Sequence, residues 1–352
     1  MSERKPLHLG VAYHGNRMPH HASEDLLDMA KNGMDIVVHM LSHTDWRRHL
    51  NVMKDLVDMS TDAGLTSWID NWGLAGSPGD ASHFLAYYPE AHAIYSNGDH
   101  AGIYPCLNSP EYRRFTHEWI DAVEFIGGKT IFWDEPHMPT KKTDDKTFYA
   151  CACPRCRKLF EEKYQRPMPE QSDADVAAFA ADTIADYFAD ATAYSHEKGM
   201  INTVCVMLGT YGMSLSTADR IAALPYMENI GSDPYWIGKK KKDPTLDVYD
   251  FVRRGTEENL ALCERFGKDH NIWIQTYSNP RGQEEDIIEA TDAAYDAGAR
   301  TILAWGYCGS ESNNYRAENP AVTWAKTCEA FARVRNRERD YILEEKRKKY
   351  KA

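Results

Sequence analysis

A single (β/α)8 barrel, spanning residues 1–352 as one domain, is the fold this sequence predicts. Three observations lead to it. A helical stretch that ends near a glycine and runs straight into a short apolar strand recurs along the chain. Filling the gaps between the clear instances gives eight strands separated by helices. A chain of 352 residues is also long enough to close one large barrel core.

The recurring pattern is clearest in DLLDMAKNGMDIVVHM (25–40), VMKDLVDMSTDAGLTSWID (52–70) and HEWIDAVEFIGGKTIFWDE (117–135). It returns in TAYSHEKGMINTVCVM (192–207) and IEATDAAYDAGARTILAWGY (288–307). Glycine suits the left-handed position that closes a helix, where a Cβ would be strained. The strands that follow are nearly all apolar, as parallel strands covered on both faces must be. The eight predicted strands are 7–13, 35–40, 66–70, 130–135, 201–207, 229–235, 271–277 and 301–307. Long connections are expected at 71–110 and 136–175, and a last helix at about 320–349. An open doubly wound sheet is the competing fold. The stretch after strand one, AYHGNRMPHH, carries no glycine-rich phosphate loop, which counts against it.

Composition excludes several functions. A net charge of −12 gives no basic surface to track nucleic acid. The basic run Lys239–Lys242 reads as a solvated loop tip. No apolar run reaches membrane-spanning length, and the N-terminus lacks a secretory pattern, so the chain reads as soluble and cytoplasmic.

Barrel enzymes keep their chemistry at the C-terminal ends of the strands. Those ends collect His14, His39, Asp70 and Trp72, then Asp134 and Glu135, Asp233, Tyr235 and Trp236, Gln275 and Tyr277, and Trp305. Amides, carboxylates, imidazoles and flat aromatics together suit a sugar, whose hydroxyls want polar partners and whose C–H faces pack on rings. Any one of these residues alone reads as packing. Glycoside cleavage needs two carboxyl groups. Glu135, at the end of a buried strand, is the candidate general acid, with burial expected to favour its protonated form. Asp233 is the candidate nucleophile or base, and Asp134 a further candidate. Strand alternation predicts that Asp134 and Glu135 point to different sides. Two alternatives stand beside a glycosidase. One is a carbohydrate-binding barrel without catalysis. The other is a lyase or epimerase using His14 or His39 with Asp134.

Cysteines supply a separate signal. CACPRC places Cys151, Cys153 and Cys156 together, and Cys106 lies in the other long connection. Four thiolates from two loops match a closed, structural Zn²⁺ site. The remaining four cysteines read as core filler.

The segments CLNSPEYRRF (106–115), FWDEP (132–136) and CACPRCRKLFEEKY (151–164) resemble family 42 glycoside hydrolases, the β-galactosidase family. In that family a Cys-x-Asn-x-Pro-x-Tyr-Arg segment precedes an Asn-Glu acid/base on strand four, and a Cys-x-Cys-x2-Cys run follows. The resemblance implies a barrel glycosidase with Glu135 as acid/base, a structural zinc on Cys106, Cys151, Cys153 and Cys156, and a tendency to self-associate. Two positions depart from it. Asp134 stands in place of the family's Asn. Strand seven, IWIQTYSNP, carries Gln275 and no carboxylate where the family places its nucleophile.

Overall fold

The computed structural model describes residues 4–71, 82–208 and 213–351, with side chains to residue 348. Its eight main strands are β1 His8–Tyr13, β2 Ile36–Met40, β3 Thr66–Asp70, β4 Thr130–Trp133, β5 Ile201–Cys205, β6 Asn229–Ser232, β7 Asp269–Gln275 and β8 Thr301–Trp305. They follow one another around a closed barrel with helices between them, the predicted (β/α)8 fold. Pairing is parallel, with His8 opposite Thr301, Gly10 opposite Ile36 and Thr130 opposite Ile201. Every residue of β2 is buried, as a strand covered on both faces requires. Gly33, Gly64, Gly127, Gly199 and Gly298, which the repeated pattern placed at helix ends, all have φ between 75° and 108°.

Strand starts agree with expectation to within two residues, but the last five strands end two or three residues early. The chain turns out of the sheet there. Pro136 and Pro234 have no N–H for a ladder, and the Tyr235 N–H turns back onto the Asp233 carbonyl at 2.6 Å. Asp134, Glu135 and Asp233 therefore stand just past their strands.

The chain divides into two compact units. The first comprises Met1–His39, Asp55–Trp68 and Ile230–Ala352. In it, helices Val248–Phe266 and Asp286–Ala297 pack on β7, and helix Pro320–Lys351 packs on Asp286–Ala297. The run Lys239–Lys242 departs from the solvated-tip reading: Lys240 sits on a short helix, Ile237–Lys240, and pairs with Asp286 at 2.6 Å. The second unit comprises Met40–Lys54 and Ile69–Asn229. In it, Trp133 turns its indole N–H outward from β4 to Asn202 Oδ1 on β5 at 3.0 Å, and Trp119 donates to the Leu41 carbonyl at 3.0 Å.

The two long connections are more ordered than their composition suggests. The first contains an antiparallel pair, His92–Ile94 with His100–Pro105. The second contains Thr140–Lys142 paired with Thr147–Tyr149, then helix Pro154–Tyr164. Among the described residues no helix is long and apolar enough to cross a membrane.

Candidate active site

Backbone strain marks the C-terminal strand ends. Among the described residues, the non-glycine positions with positive φ are Glu135, Gln165, Ser278, Cys308 and Ser310. Gln165 is an ordinary left-handed helix cap. The other four follow β4, β7 and β8. Non-glycine residues stay in this region only where their surroundings over-determine it, and such positions cluster at functional sites.

In the second unit, the ends of β3 and β4 are tied together. Asn71 N–H donates to the Phe132 carbonyl at 3.2 Å, and Asn71 Oδ1 accepts from Asp134 N–H at 3.0 Å. Asp70 is fully buried at the end of β3, and its carbonyl accepts from Leu41 N–H at 3.0 Å. Trp72 lies outside the described residues. Asp134 is 9% exposed, whereas Glu135 is only half-buried, so the burial expected at Glu135 falls on its neighbour. Both residues line one cleft with Tyr104 and His137, contrary to the alternation rule. The strand has already ended, and Glu135, at φ 35°, takes a left-handed turn that breaks the alternation. The cleft measures about 60 Å³. His137 and Tyr104 are the residues that sequence reasoning missed. His137 Nδ1 donates to the Glu135 carbonyl at 2.7 Å, and Tyr104 Oη lies 3.4 Å from His137 Nε2.

Beside them the four predicted cysteines converge. Their sulfurs lie within 4.8 Å of one another, all buried, with Cys106 3.5 Å from Cys156 and 3.6 Å from Cys153. A tetrahedral metal with metal–sulfur bonds of about 2.3 Å sets sulfurs about 3.8 Å apart, so the cluster could hold a metal ion. Its backbone is built for this. Ala152 N–H bonds to the Ile94 carbonyl at 2.7 Å, and Arg157 bonds to the Ala152 and Ser96 carbonyls, joining the two loops. Hydrogen bonding from Cys106 holds the Cys153 thiol well below its ordinary range, while bonding within the cluster pushes Cys106 and Cys156 up. Four adjacent thiols cannot all ionise without a cation among them. Of the other cysteines, Cys205 and Cys263 are buried, and Cys308 and Cys328 are half-buried.

In the first unit, aromatic residues from several strand ends meet. The His14 ring meets Trp305 edge-on at 5.1 Å between centroids, and Trp305 meets Trp273 at 5.1 Å. A Cβ on Gly306 would stand 2.9 Å from the Ala12 carbonyl, so glycine lets the end of β8 approach β1. Tyr235 meets Tyr277 at 5.3 Å. Asp233 is buried at 3% exposure. Gln275 Oε1 accepts the Ile237 N–H at 3.0 Å, which fixes the loop after β6. His39 and Trp236 are fully buried, so neither offers a face to a ligand. His39 is bonded to Ser60 Oγ at 2.9 Å, and burial lowers its pKa to about 3. Burial likewise lowers His14 to about 4. Both imidazoles are therefore neutral at pH 7.

No family model matches this chain, and no curated protein matches it. Solved structures do match its fold. The catalytic domain of β-amylase from Paenibacillus polymyxa superposes with a TM-score of 0.66 at 8% identity, covering 93% of this chain and 99% of that one. A GH5_18 protein from Streptomyces cattleya, in complex with GlcNAc, gives 0.61 at 12% identity, covering 95% and 81%. A D-allulose 3-epimerase from Methylomonas sp. gives 0.50 at 13% identity, covering 95% and 100%. At these identities the likeness shows the barrel fold, which carbohydrate-active enzymes share, and the resemblance to family 42 remains one of motif.

Proposed function

We propose that this chain is a glycoside hydrolase that removes a terminal sugar from a small oligosaccharide or glycoside. Glu135, as general acid, gives its proton to the glycosidic oxygen as the bond from that oxygen to the anomeric carbon breaks. Asp233 either attacks the anomeric carbon or takes a proton from the water that does. The observation that carries this reading is the left-handed backbone of Glu135, just past β4, at the position the family motif gives the acid/base. His14, Tyr235, Gln275, Tyr277 and Trp305 are the proposed sugar contacts, whereas Asp70, as fully buried as His39 and Trp236, would act on the site only through its neighbours. Cys106, Cys151, Cys153 and Cys156 are proposed to hold a structural zinc. With all four positions filled by sulfur, the ion would fix the loops that carry Glu135 and would leave no open position for catalysis. Reduced thiols at such a site suit a cytoplasmic enzyme.

The test is turnover of a panel of nitrophenyl glycosides by wild type, Glu135→Gln and Asp233→Asn. Each substitution should lower kcat at least about a hundredfold. Activity unaffected by both changes refutes the mechanism, and sugar binding without any turnover favours a binding barrel.

A sugar epimerase is the second reading. The end of β7 carries no carboxylate, since Gln275 instead holds the Ile237 N–H, which counts against a family-type nucleophile, and an epimerase would draw its base from His14 with Asp134. An epimerase would exchange a sugar carbon-bound proton with D₂O without cleaving any glycoside.

A further inference from the structure

We propose that His137 is a positioning residue that holds the Glu135 backbone in place, with Tyr104 orienting its ring. The kinetic consequence rests on the glycosidase reading, whereas the geometry does not. A carbonyl oxygen only accepts, so the 2.7 Å contact to Glu135 puts a proton on His137 Nδ1. In the neutral ring Nε2 then carries the lone pair and accepts from Tyr104 Oη, 3.4 Å away, with ring centroids 6.0 Å apart. The restraint is needed. A residue before proline is pushed towards extended backbone, yet Glu135 precedes Pro136 and has φ 35°. The imidazole two residues on closes this turn by holding the acid's own carbonyl.

Tyr104 is anchored in its turn. It sits near the end of strand His100–Pro105, two residues before Cys106. Tyr104 and Met138 both pack against the apolar residues around the four cysteines. One line of contacts thus runs from the residues packed around the four cysteines through Tyr104 and His137 to Glu135. It would keep the carboxyl group in register while its proton leaves and returns, where small misplacements are costly.

The test compares His137→Leu, which removes the donor, with His137→Asn, whose amide nitrogen falls near the position of Nδ1. His137→Leu should lower kcat about a hundredfold with KM within about threefold, because an unpositioned acid costs turnover and not binding. His137→Asn should recover most of that loss, and Tyr104→Phe should cost less than about tenfold. ¹⁵N NMR should show the Nδ1–H tautomer in wild type. The residue 135 backbone shifts should be left-handed in wild type and His137→Asn, and displaced in His137→Leu. An Nε2–H tautomer overturns the proposal, as does equal behaviour of the Leu and Asn variants in the residue 135 shifts. If wild type cleaves no glycoside, the glycosidase reading fails by itself, and the tautomer and shifts still decide the role of His137.

Discussion

Replacing Glu338 by Gln should destabilise the protein by about 3 kcal/mol at pH 7, since the Glu338 carboxyl is held down to about 2 and a carboxylate stabilised to that extent in the fold contributes on that order. The geometry sets this figure. The Glu338 carboxylate accepts from Arg4 Nε at 3.0 Å and Nη2 at 2.7 Å, from Arg300 Nη1 at 2.7 Å, and from Tyr295 Oη at 2.8 Å. Burial alone would raise its pKa, but these bonds outweigh it and hold the group at about 2 instead of 4.5. A folded pKa below the unfolded one stabilises above the unfolded value. The contribution is therefore complete above about pH 4.5 and vanishes as pH falls towards about 2. Glutamine cannot replace it, because its NH₂ would face guanidinium donors and leave buried Arg300 uncompensated. Thermal melts by circular dichroism at pH 7 should place the variant roughly 5–10 °C below wild type, at about 2–3 °C per kcal/mol for a chain of this size. The gap should narrow at each step from pH 5 to pH 3. A gap under about 1 °C at pH 7, or one that does not narrow in acid, refutes the reasoning.

Two further predictions concern the buried polar groups. Purified protein should carry about one zinc per chain, and Cys156→Ser should lose it together with the protection of the 136–164 loop from proteolysis; a full complement of titratable thiols and no metal would refute the assignment. His39 stays neutral when folded, down to about pH 3, whereas the unfolded chain protonates it near 6.5. Stability should thus fall with acid through that window, and His39→Leu should reduce the slope by about one proton, or about 1.4 kcal/mol per pH unit. Parallel urea titrations at pH 7, 6 and 5 measure it.

What the sequence revealed follows the physics of each element. Strand starts were legible because they follow left-handed glycines such as Gly33 and Gly298. Strand ends were less so, because FWDE and GSDPY stay apolar or polar without regard to where the ladder stops. The pair His92–Ile94 and His100–Pro105 escaped notice although Asn97-Gly98 is a strong hairpin signal, and Gly98 indeed has φ 94°. Thr140–Lys142 could not have been found by burial pattern, since all three residues are exposed. The four cysteines were legible as a cluster because chemistry constrains their spacing. His137 was not, even though it lies two residues from Glu135, because its role depends on a turn that only the backbone reveals.

A charged cleft on the first unit shows why the opposite ends of the strands must be read differently. It measures about 640 Å³ and gathers Arg4, Lys5, Arg300 and Arg337 near the starts of β1 and β8. By composition alone it would be an anion site. Each cation, however, already has a carboxylate: Glu338 for Arg4 and Arg300, Asp269 for Lys5, and Asp292 and Asp296 for Arg337. An incoming anion would have to displace these partners and leave Glu338 buried without its donors, at a cost comparable to the loss predicted for its substitution. The cleft is therefore a staple between the first residues and the last helix. At the strand ends the order is reversed. There the backbone at Glu135 is held in a conformation that costs about 1–3 kcal/mol, and the contacts that hold it come from His137 and, through it, Tyr104. Strain of this kind persists where geometry matters more than stability, and this asymmetry supports the proposal that the chemistry lies at the carboxyl ends of the barrel strands.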